Sequence, residues 1–214
     1  MPPEVPLDIW IDPICPWCWI GKAQLDRALE RAAHHPFRIR WHPFLLNPDM
    51  PAGGMDFAPY LEAVFGTQQR AVAALQSAAQ AAEAAGLQLD VTTISRIPAT
   101  LDAHRLIHWA GLEGRQTPVV ASLFRAHFRE SRDIGAPDVL ADLAAGAGMD
   151  GAMVARLLAS DADRETIAAA DAEARARGIR AAPTFIVAGT HVVPGAQPAE
   201  LWDSVIDELA GHDG

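Results

Sequence analysis

Residues 7–44 read LDIWIDPICPWCWIGKAQLDRALERAAHHPFRIRWHPF, and this stretch decides the fold. Residues 7–12 alternate and are rich in strand formers, and the proline that follows them ends the pattern. Apolar residues at helical spacing cover residues 19–33, and a second alternating run covers residues 37–44. Strand, helix and strand in this order predict a βαβ unit, with two parallel strands joined by a right-handed crossover.

A long helical region is predicted after the second strand. Residues 45–58 are rich in proline and glycine and predict a loop. Ala-rich helical patterns then run over residues 59–177 and predict five or six helices. The last of them is expected to begin with Ser160 as its N-cap, with Asp163 at the third position, and to stop at Gly178.

The C-terminal part returns to strand patterns. Residues 184–187 and 191–193 flank a short glycine-containing segment that is typical of a hairpin turn. Pro198 stands where the first position of a helix is expected, and it opens a helical pattern over residues 199–209. The chain therefore ends as strand, strand and helix.

Together these patterns predict an α/β protein whose mixed sheet is built as βαβ … ββα and is interrupted by a large all-helical insertion. The sheet domain is expected to take residues 1–58 and 178–214, and the inserted helical domain residues 59–177. A chain of 214 residues suits one large domain, or one small domain that carries an insertion.

Composition and the N-terminal sequence limit the classes of binding partner and the cellular compartments that we expect. The formal net charge is −10, from 27 acidic and 17 basic residues, and no dense run of Lys or Arg is present, which argues against a nucleic-acid partner. The longest apolar stretches are too short for a membrane span. The N-terminus lacks the pattern of a secretory signal, so the cytoplasm is the expected compartment. Paired cysteines in a reducing compartment are typically catalytic or metal-binding.

The chain has two cysteines, and they stand three residues apart as Cys15-Pro16-Trp17-Cys18, between a predicted strand and a predicted helix. The N-terminus of a helix favours negative charge, so the Cys15 thiolate is expected to be stabilised there. Cys18 lies one turn later on the same face, within reach of a disulfide with Cys15. A zinc site needs four ligands, and a second cysteine pair is absent. A disulfide across so short a loop constrains little, so redox chemistry is the favoured interpretation and no metal is expected.

The surroundings of this motif resemble a known family. The segment DPICPWCWIGK (residues 12–22) is similar to the start of the DsbA-like thiol–disulfide oxidoreductases of the FrnE-like subgroup, in the thioredoxin-fold superfamily. The resemblance continues in WHPFLLNP (residues 41–48), DAHRL (residues 102–106) and GAQP (residues 195–198), and so spans nearly the whole chain. It implies a thioredoxin-like domain interrupted by a helical insert, the arrangement that the patterns predict independently.

The same resemblance implies a substrate site. The family places a cis-proline beside the CxxC motif, and Pro183 stands at that point, just before a predicted strand. A cis-proline there leaves the backbone of Ala182 facing the cysteines, ready to pair with an extended substrate. Pro16 and Trp17 are also expected at the site, with Trp17 offering a partly exposed apolar contact. An ordinary turn proline is the alternative interpretation of Pro183.

His104 and Arg105 lie on a predicted helix that faces the active site in the family. They are therefore expected to line the substrate site, and a cation among them would stabilise the Cys15 thiolate. The alternative is a structural role, in which His104 is a buried, hydrogen-bonded core residue. His104 and His108 stand four residues apart, a spacing that can chelate a metal, but no third ligand is evident.

Three functions remain open at this point. The favoured one is disulfide exchange with protein or small-molecule thiols and disulfides, with no bound cofactor and with glutathione as a candidate redox co-substrate. The second is a glutathione-dependent isomerase or transferase, similar to 2-hydroxychromene-2-carboxylate isomerase and the kappa-class glutathione transferases. Those families usually carry one Ser in place of the first cysteine, which argues against them here. The third is a protein that holds unfolded chains without turnover. A homodimer is left open.

Overall fold

The structure, a computed structural model, describes residues 4–211. In chain order its strands and helices are β1 (Val5–Ile11), α1 (Pro16–Arg31), β2 (Phe37–Pro43), β3 (Met55–Asp56), α2 (Phe57–Phe65), α3 (Gln68–Ala84), β4 (Arg96–Ile97), α4 (Leu101–Leu112), α5 (Gln116–Phe128), α6 (Pro137–Gly146), α7 (Gly151–Leu158), α8 (Arg164–Ala176), β5 (Thr184–Val187), β6 (His191–Pro194) and α9 (Ala199–Gly211). A 3-10 turn at Val91–Thr93 precedes β4.

A four-stranded mixed sheet in the order β2-β1-β5-β6 underlies the fold. β1 pairs with β2 in parallel and with β5 antiparallel, and β5 pairs antiparallel with β6. The short strands β3 and β4 form a separate antiparallel pair. The predicted mixed sheet, opened by a βαβ unit and completed by a ββα unit, is therefore confirmed.

Alternation along β1 separates the two faces of the sheet. Ile9 lies in the main core, whereas Trp10 packs in a second cluster that includes Ala174 of α8. α1 and α9 contact each other, and the Trp202 ring of α9 lies 4.8 Å from the Phe185 ring of β5. The apolar helices α1 and α9 thus share one face of the sheet, and α8 lies against the other.

α1 begins at Pro16, so the CPWC motif lies at the N-terminus of the helix, as its position between strand and helix predicted. Proline has no N–H to lose and suits the first turn, so the CPWC motif itself forms the start of the helix. Cys15 becomes the N-cap residue.

The region between β2 and β5 contains seven α-helices among the described residues, so the prediction of five or six was wrong. The missed boundary is the joint between α2 and α3, where Gly66 adopts a left-handed φ of 73° and Thr67 caps the next helix. α8 begins after Asp163, so the prediction of Ser160 as its N-cap was also wrong. The Ser160 side chain instead stabilises the preceding turn, where its Oγ donates to the Leu157 carbonyl at 2.8 Å.

One cluster of buried side chains runs through both the sheet and the inserted helices. The Gln116 side chain of α5 bonds to the backbone N–H and carbonyl of Trp41 in β2, each at 3.1 Å. The Trp41 indole donates to the Thr117 hydroxyl at 2.9 Å. The division into domains at residues 58 and 178 stays a prediction. None of the helices within residues 4–211 has the length and hydropathy of a membrane span.

Candidate active site

Cys15 is held at the N-terminus of α1. Its backbone is extended, with φ −84° and ψ 114°, as an N-cap requires, and its Sγ accepts the backbone N–H of Cys18 at 3.4 Å. The N-cap geometry points the Cys18 N–H at the sulfur, and the N-terminus of a helix favours negative charge. Cys15 is therefore the cysteine whose sulfur lies at the helix N-terminus.

Cys18 lies one turn deeper and is 1% exposed, against 4% for Cys15. Burial raises the pKa of the Cys18 thiol well above its ordinary value, and the hydrogen bond and charge of Cys15 raise it further. The carboxylate of Asp12 adds to this increase. Both cysteines are free thiols in this structure. The two sulfurs differ: that of Cys15 accepts the Cys18 N–H at the helix N-terminus, whereas burial favours the protonated thiol at Cys18.

Ala182 lies beside Cys15 although 167 residues separate them in sequence. The Cys15 thiol is 3.6 Å from the Ala182 carbonyl oxygen, and the peptide bond between Ala182 and Pro183 is cis. Gly21 of α1 permits this approach, because a Cβ at that position would lie 3.2 Å from Pro183 and 3.3 Å from Phe185. Because Gly21 has no side chain, α1 can pack close to Pro183, and the loop that contains Pro183 lies next to the cysteines.

Trp17 is the exposed member of the motif, with 38% of its surface accessible, while Pro16 is half-buried. Ala182 is half-buried as well, and Pro183 is buried. Exposed tryptophan beside accessible backbone is the arrangement that an extended, partly apolar chain can contact. The structure thus brings Pro16, Trp17, Ala182 and Pro183 together around Cys15.

Asp12 belongs to the site, and the sequence analysis assigned it no role. Its carboxylate is fully buried and accepts the N–H groups of Ile14 at 3.2 Å and Leu46 at 2.8 Å, and the Thr100 hydroxyl at 3.1 Å. Burial raises the pKa of Asp12 from 3.8 to about 6, although these three bonds act in the opposite direction. A carboxyl with this pKa exchanges a proton near neutral pH, and its charge reaches Cys18.

Tyr60 of α2 is a second residue that the sequence analysis missed. Its hydroxyl accepts the side-chain N–H of Asn47 at 3.4 Å. Burial raises the pKa of Tyr60, the bond from Asn47 lowers it, and the charges of Asp12 and Cys15 raise it again. Tyr60 therefore lies within electrostatic range of Cys15. The signal that could have found it is weak: a single tyrosine in an apolar segment, since Tyr60 is the one Tyr in the sequence.

Arg105 does not contact a substrate site, which corrects the expectation drawn from the resemblance. Its side chain is 0% exposed, and its guanidinium donates to the carbonyl oxygens of Ala162, Leu157 and Ser160 and to the carboxylate of Asp102. These bonds tie α4 to the segment between α7 and α8. Four of the five guanidinium N–H donors are thus bonded to the protein, which indicates a structural role for Arg105.

His104 is buried at 2% exposure, and its Nε2 has no hydrogen-bond partner among residues 4–211. Burial lowers the pKa of His104 to about 4, and the nearby charge of Asp171 opposes this shift. Burial therefore favours the neutral imidazole, so His104 does not supply the cation considered beside Cys15. Residues 4–211 contain no cluster of three His, Cys, Asp or Glu side chains that could hold a metal ion.

Comparison with known proteins agrees with this geometry. The model of the DSBA-like thioredoxin domain matches residues 6–207. YwbO of Bacillus subtilis (strain 168), an uncharacterized protein, is 29% identical over 209 residues, which cover 95% of this chain and 96% of that protein. The crystal structure of a probable DsbA oxidoreductase from Streptomyces coelicolor is 30% identical and superimposes with a TM-score of 0.85, covering 97% of this chain and 90% of that one.

Two more distant structures share the fold. The cytosolic disulfide reductase DsbM from Pseudomonas aeruginosa is 21% identical with a TM-score of 0.69, and 96% of this chain and 98% of that one are covered. A 2-hydroxychromene-2-carboxylate isomerase is 15% identical with a TM-score of 0.70, covering 97% of each chain. At these identities the likeness shows the fold alone. The predicted α/β, thioredoxin-like class is confirmed, and the chain belongs to the DSBA-like thioredoxin domain family.

Proposed function

We propose that this protein is a thiol–disulfide oxidoreductase whose redox centre is the pair Cys15 and Cys18. The observation that carries the proposal is the position of the Cys15 sulfur, which accepts the Cys18 N–H at the N-terminus of α1 and lies 3.6 Å from the Ala182 carbonyl. A cysteine sulfur at a helix N-terminus is placed to act as a nucleophile, and here it lies beside the half-buried backbone of Ala182. Family membership supports the same class of reaction.

In the reducing direction, the Cys15 thiolate attacks one sulfur of a substrate disulfide. The Cys15–substrate bond forms as the substrate S–S bond breaks, and the leaving sulfur takes the electron pair and then a proton. Cys18 next attacks the Cys15 sulfur, which forms the Cys15–Cys18 disulfide and releases the second substrate thiol. The substrate gains two electrons and two protons, and the protein dithiol is oxidised. The oxidising direction reverses each step.

Asp12 is proposed to accept the proton of Cys18 during resolution. The Cys18 thiol is buried with a raised pKa, so it needs a base before it can attack. Asp12 is a buried carboxyl with a pKa of about 6, and its charge is coupled to Cys18. Its three hydrogen bonds hold the carboxylate in place and connect the CPWC turn to Leu46 and to Thr100.

The substrates are proposed to be protein or small-molecule thiols and disulfides. An extended chain would pair with the backbone of Ala182 and contact Trp17, which is the exposed aromatic of the motif. Glutathione is a candidate redox co-substrate, and DsbM has been solved with GSH. The cytoplasmic location, the FrnE-like subgroup and a homodimer stay predictions.

The glutathione-dependent isomerase remains the second candidate, because an isomerase of that class has the same fold. The two functions differ in their need for Cys18. A disulfide exchanger needs both cysteines, whereas thiol-dependent turnover of an aromatic substrate that survives Cys18→Ser would favour the isomerase. The burial of Cys18 directly behind Cys15 supports disulfide exchange.

Redox equilibration in glutathione buffers tests the proposed function, with tryptophan fluorescence reporting the state of the cysteines. We expect one reversible two-electron transition. A midpoint between about −120 and −200 mV would identify a disulfide donor or isomerase, and one near about −270 mV a reductase. Absence of a reversible Cys15–Cys18 disulfide at every poise would refute the oxidoreductase and leave the isomerase as the better account.

A further inference from the structure

The second face of the sheet borders an open cavity of about 770 Å³, which lies between the strands and the C-terminal end of α8. We call it the arginine groove. Its apolar walls include Ile186 and Val192, and Val192 is 60% exposed. Its charged and ionisable lining is Asp8, Arg40, His42, Glu173, Arg177 and Arg180. The groove plays no part in the redox steps described above.

Positive charge exceeds negative charge in this groove, contrary to the chain as a whole. Three arginines face two carboxylates there, while the full sequence has 27 acidic and 17 basic residues. Burial lowers the pKa of His42, and the neighbouring charges of Arg40 and Arg177 lower it further against the opposing effect of Asp8. His42 therefore adds little charge at neutral pH. A cationic groove on an acidic protein favours anionic partners.

The carboxylates of the groove are already paired. Asp8 receives both Nε and Nη2 of Arg40, at 2.8 and 2.9 Å, and Nε2 of His42 at 2.7 Å. Glu173 lies 3.5 Å from the guanidinium of Arg177, and both side chains are about two-thirds exposed. Within residues 4–211, Arg180 is exposed and makes no salt bridge or side-chain hydrogen bond. Arg180 is therefore the cation best able to take an incoming carboxylate, followed by Arg177, whose pair with Glu173 is exposed.

The groove begins beside the redox site. Ala181 and Thr184 line it, and they flank the Ala182–Pro183 pair whose carbonyl contacts Cys15. It continues along β5 to Gly189 in the hairpin turn. The four residues of β5 span about 13 Å at 3.3 Å per residue, a length that suits several residues of an extended chain.

We propose that the arginine groove selects acidic polypeptide substrates, because Arg177 and Arg180 bind a Glu or Asp side chain that lies a few residues from the substrate's cysteine. This inference rests on the proposed function, since it names the substrate class of the same site. A chain paired with the Ala182 backbone would run past Arg180 and place its neighbouring side chains over the groove. The two arginines are specificity-determining residues and take no part in bond making.

The test uses three synthetic peptide disulfides that differ only in having Glu, Gln or Lys at positions near the cysteine. The reduced protein reacts with each, and tryptophan fluorescence gives the second-order rate constant. For the wild type we expect the Glu peptide to react about five-fold faster than the Gln peptide, the upper range for exposed ion pairs, and the Lys peptide to react slowest. At 0.5 M NaCl the preference should shrink, because salt screens exposed charges.

The double variant Arg177→Ala/Arg180→Ala should react with the Glu and Gln peptides at equal rates and keep the wild-type rate with Gln. Arg129→Ala is the matched control, because Arg129 is an exposed arginine that does not line the groove. It should keep the full preference for Glu. Both variants should keep the wild-type midpoint in glutathione buffers, which separates substrate selection from damage to the redox pair.

Equal rates with all three peptides in the wild type would overturn the inference and leave disulfide exchange intact. A charge preference that survives in the double variant would also overturn it. A dependence on the two arginines seen with glutathione disulfide alone would contradict the assignment to a polypeptide. If no peptide reacts and no reversible disulfide forms, the proposed function itself has failed, so the two failures are distinguishable.

Discussion

Asp12 and Arg105 are both buried ionisable residues, but the protein compensates their charges to different extents. Arg105 donates to three backbone carbonyls and to the carboxylate of Asp102, so its charge is fully compensated. Asp12 receives three hydrogen bonds but makes no salt bridge among the described residues, and burial raises its pKa to about 6. A compensated charge supports structure, whereas an incompletely compensated one is able to exchange protons.

The largest change in the free energy of unfolding is expected at Arg105, whose charge is compensated by its partners. Arg105→Met keeps a similar volume but removes a buried donor from three carbonyls and one of the two arginine partners of Asp102. Removing one partner from a buried charged network costs about 3–5 kcal/mol of unfolding free energy. Urea unfolding followed by circular dichroism measures this loss. The midpoint of the Cys15–Cys18 transition should not move in protein that remains folded.

Arg164→Met is the control for that comparison. Arg164 also pairs with Asp102, at 3.1 Å, but its side chain is 40% exposed. Solvent screens such a pair, so the variant should lose less than about 1 kcal/mol. Equal losses in the two variants would mean that burial does not distinguish these arginines, and the structural role assigned to Arg105 would be wrong.

Asp12→Asn should change how stability depends on pH. The pKa of Asp12 is raised from 3.8 to about 6, so the folded state binds its proton more tightly than the unfolded state between these values. Its contribution is therefore favourable at low pH and is lost as pH rises through about 6. Asparagine lacks this term, so the stability of the variant relative to wild type should rise by about 2 kcal/mol between pH 4 and pH 7.

Urea unfolding at several pH values measures that rise, and Asp207→Asn, the same substitution at an exposed position, is the control. Asp12→Asn also tests the proposed proton transfer from Cys18 to Asp12. Without the carboxylate, Cys18 should resolve the mixed disulfide more slowly, so the intermediate on Cys15 should accumulate. An Asp12→Asn protein with the wild-type pH profile and the wild-type resolution rate would remove Asp12 from the mechanism.

A smaller effect is expected at Thr100, whose hydroxyl donates to the Asp12 carboxylate at 3.1 Å. Thr100→Val keeps the shape and removes this donor, which should cost about 1 kcal/mol at pH 7. The loss should be smaller at pH 4, because Asp12 is then protonated and a hydrogen bond to a neutral carboxyl contributes less stability than one to a carboxylate. Thr100→Ser keeps the hydroxyl and should keep most of the stability. A loss that is the same at both pH values would break the link between Thr100 and the charge of Asp12.

Local signals in the sequence made most of the sheet and the position of the CPWC motif predictable. Alternation in residues 7–12 and 37–44, and the position of Cys15 between a strand and a helix, depend on neighbours a few residues away. Asp12 was missed because its partners Leu46 and Thr100 lie 34 and 88 residues along the chain. Only the folded chain brings Asp12, Leu46 and Thr100 together, so no sequence spacing predicts that the Asp12 carboxyl is buried.

Arg105 illustrates the opposite error. The resemblance placed its helix near the site, but the direction of the side chain depends on the carbonyls of residues 157–162, which close over α4. The boundary between α2 and α3 was missed for a local reason. Gly66 followed by Thr67 is a stop and a cap within an apolar, Ala-rich stretch, and the helical periodicity on both sides obscures it.

The central claim is that Cys15 attacks and Cys18 resolves. The most direct measurement is intact-mass analysis after reaction of reduced Cys18→Ser, Cys15→Ser and wild-type protein with excess glutathione disulfide. The account predicts a stable glutathione adduct on Cys15 in Cys18→Ser, no adduct in Cys15→Ser on the same timescale, and an internal disulfide in the wild type. An adduct that forms equally fast in Cys15→Ser, or a wild type that never closes its disulfide, would contradict it.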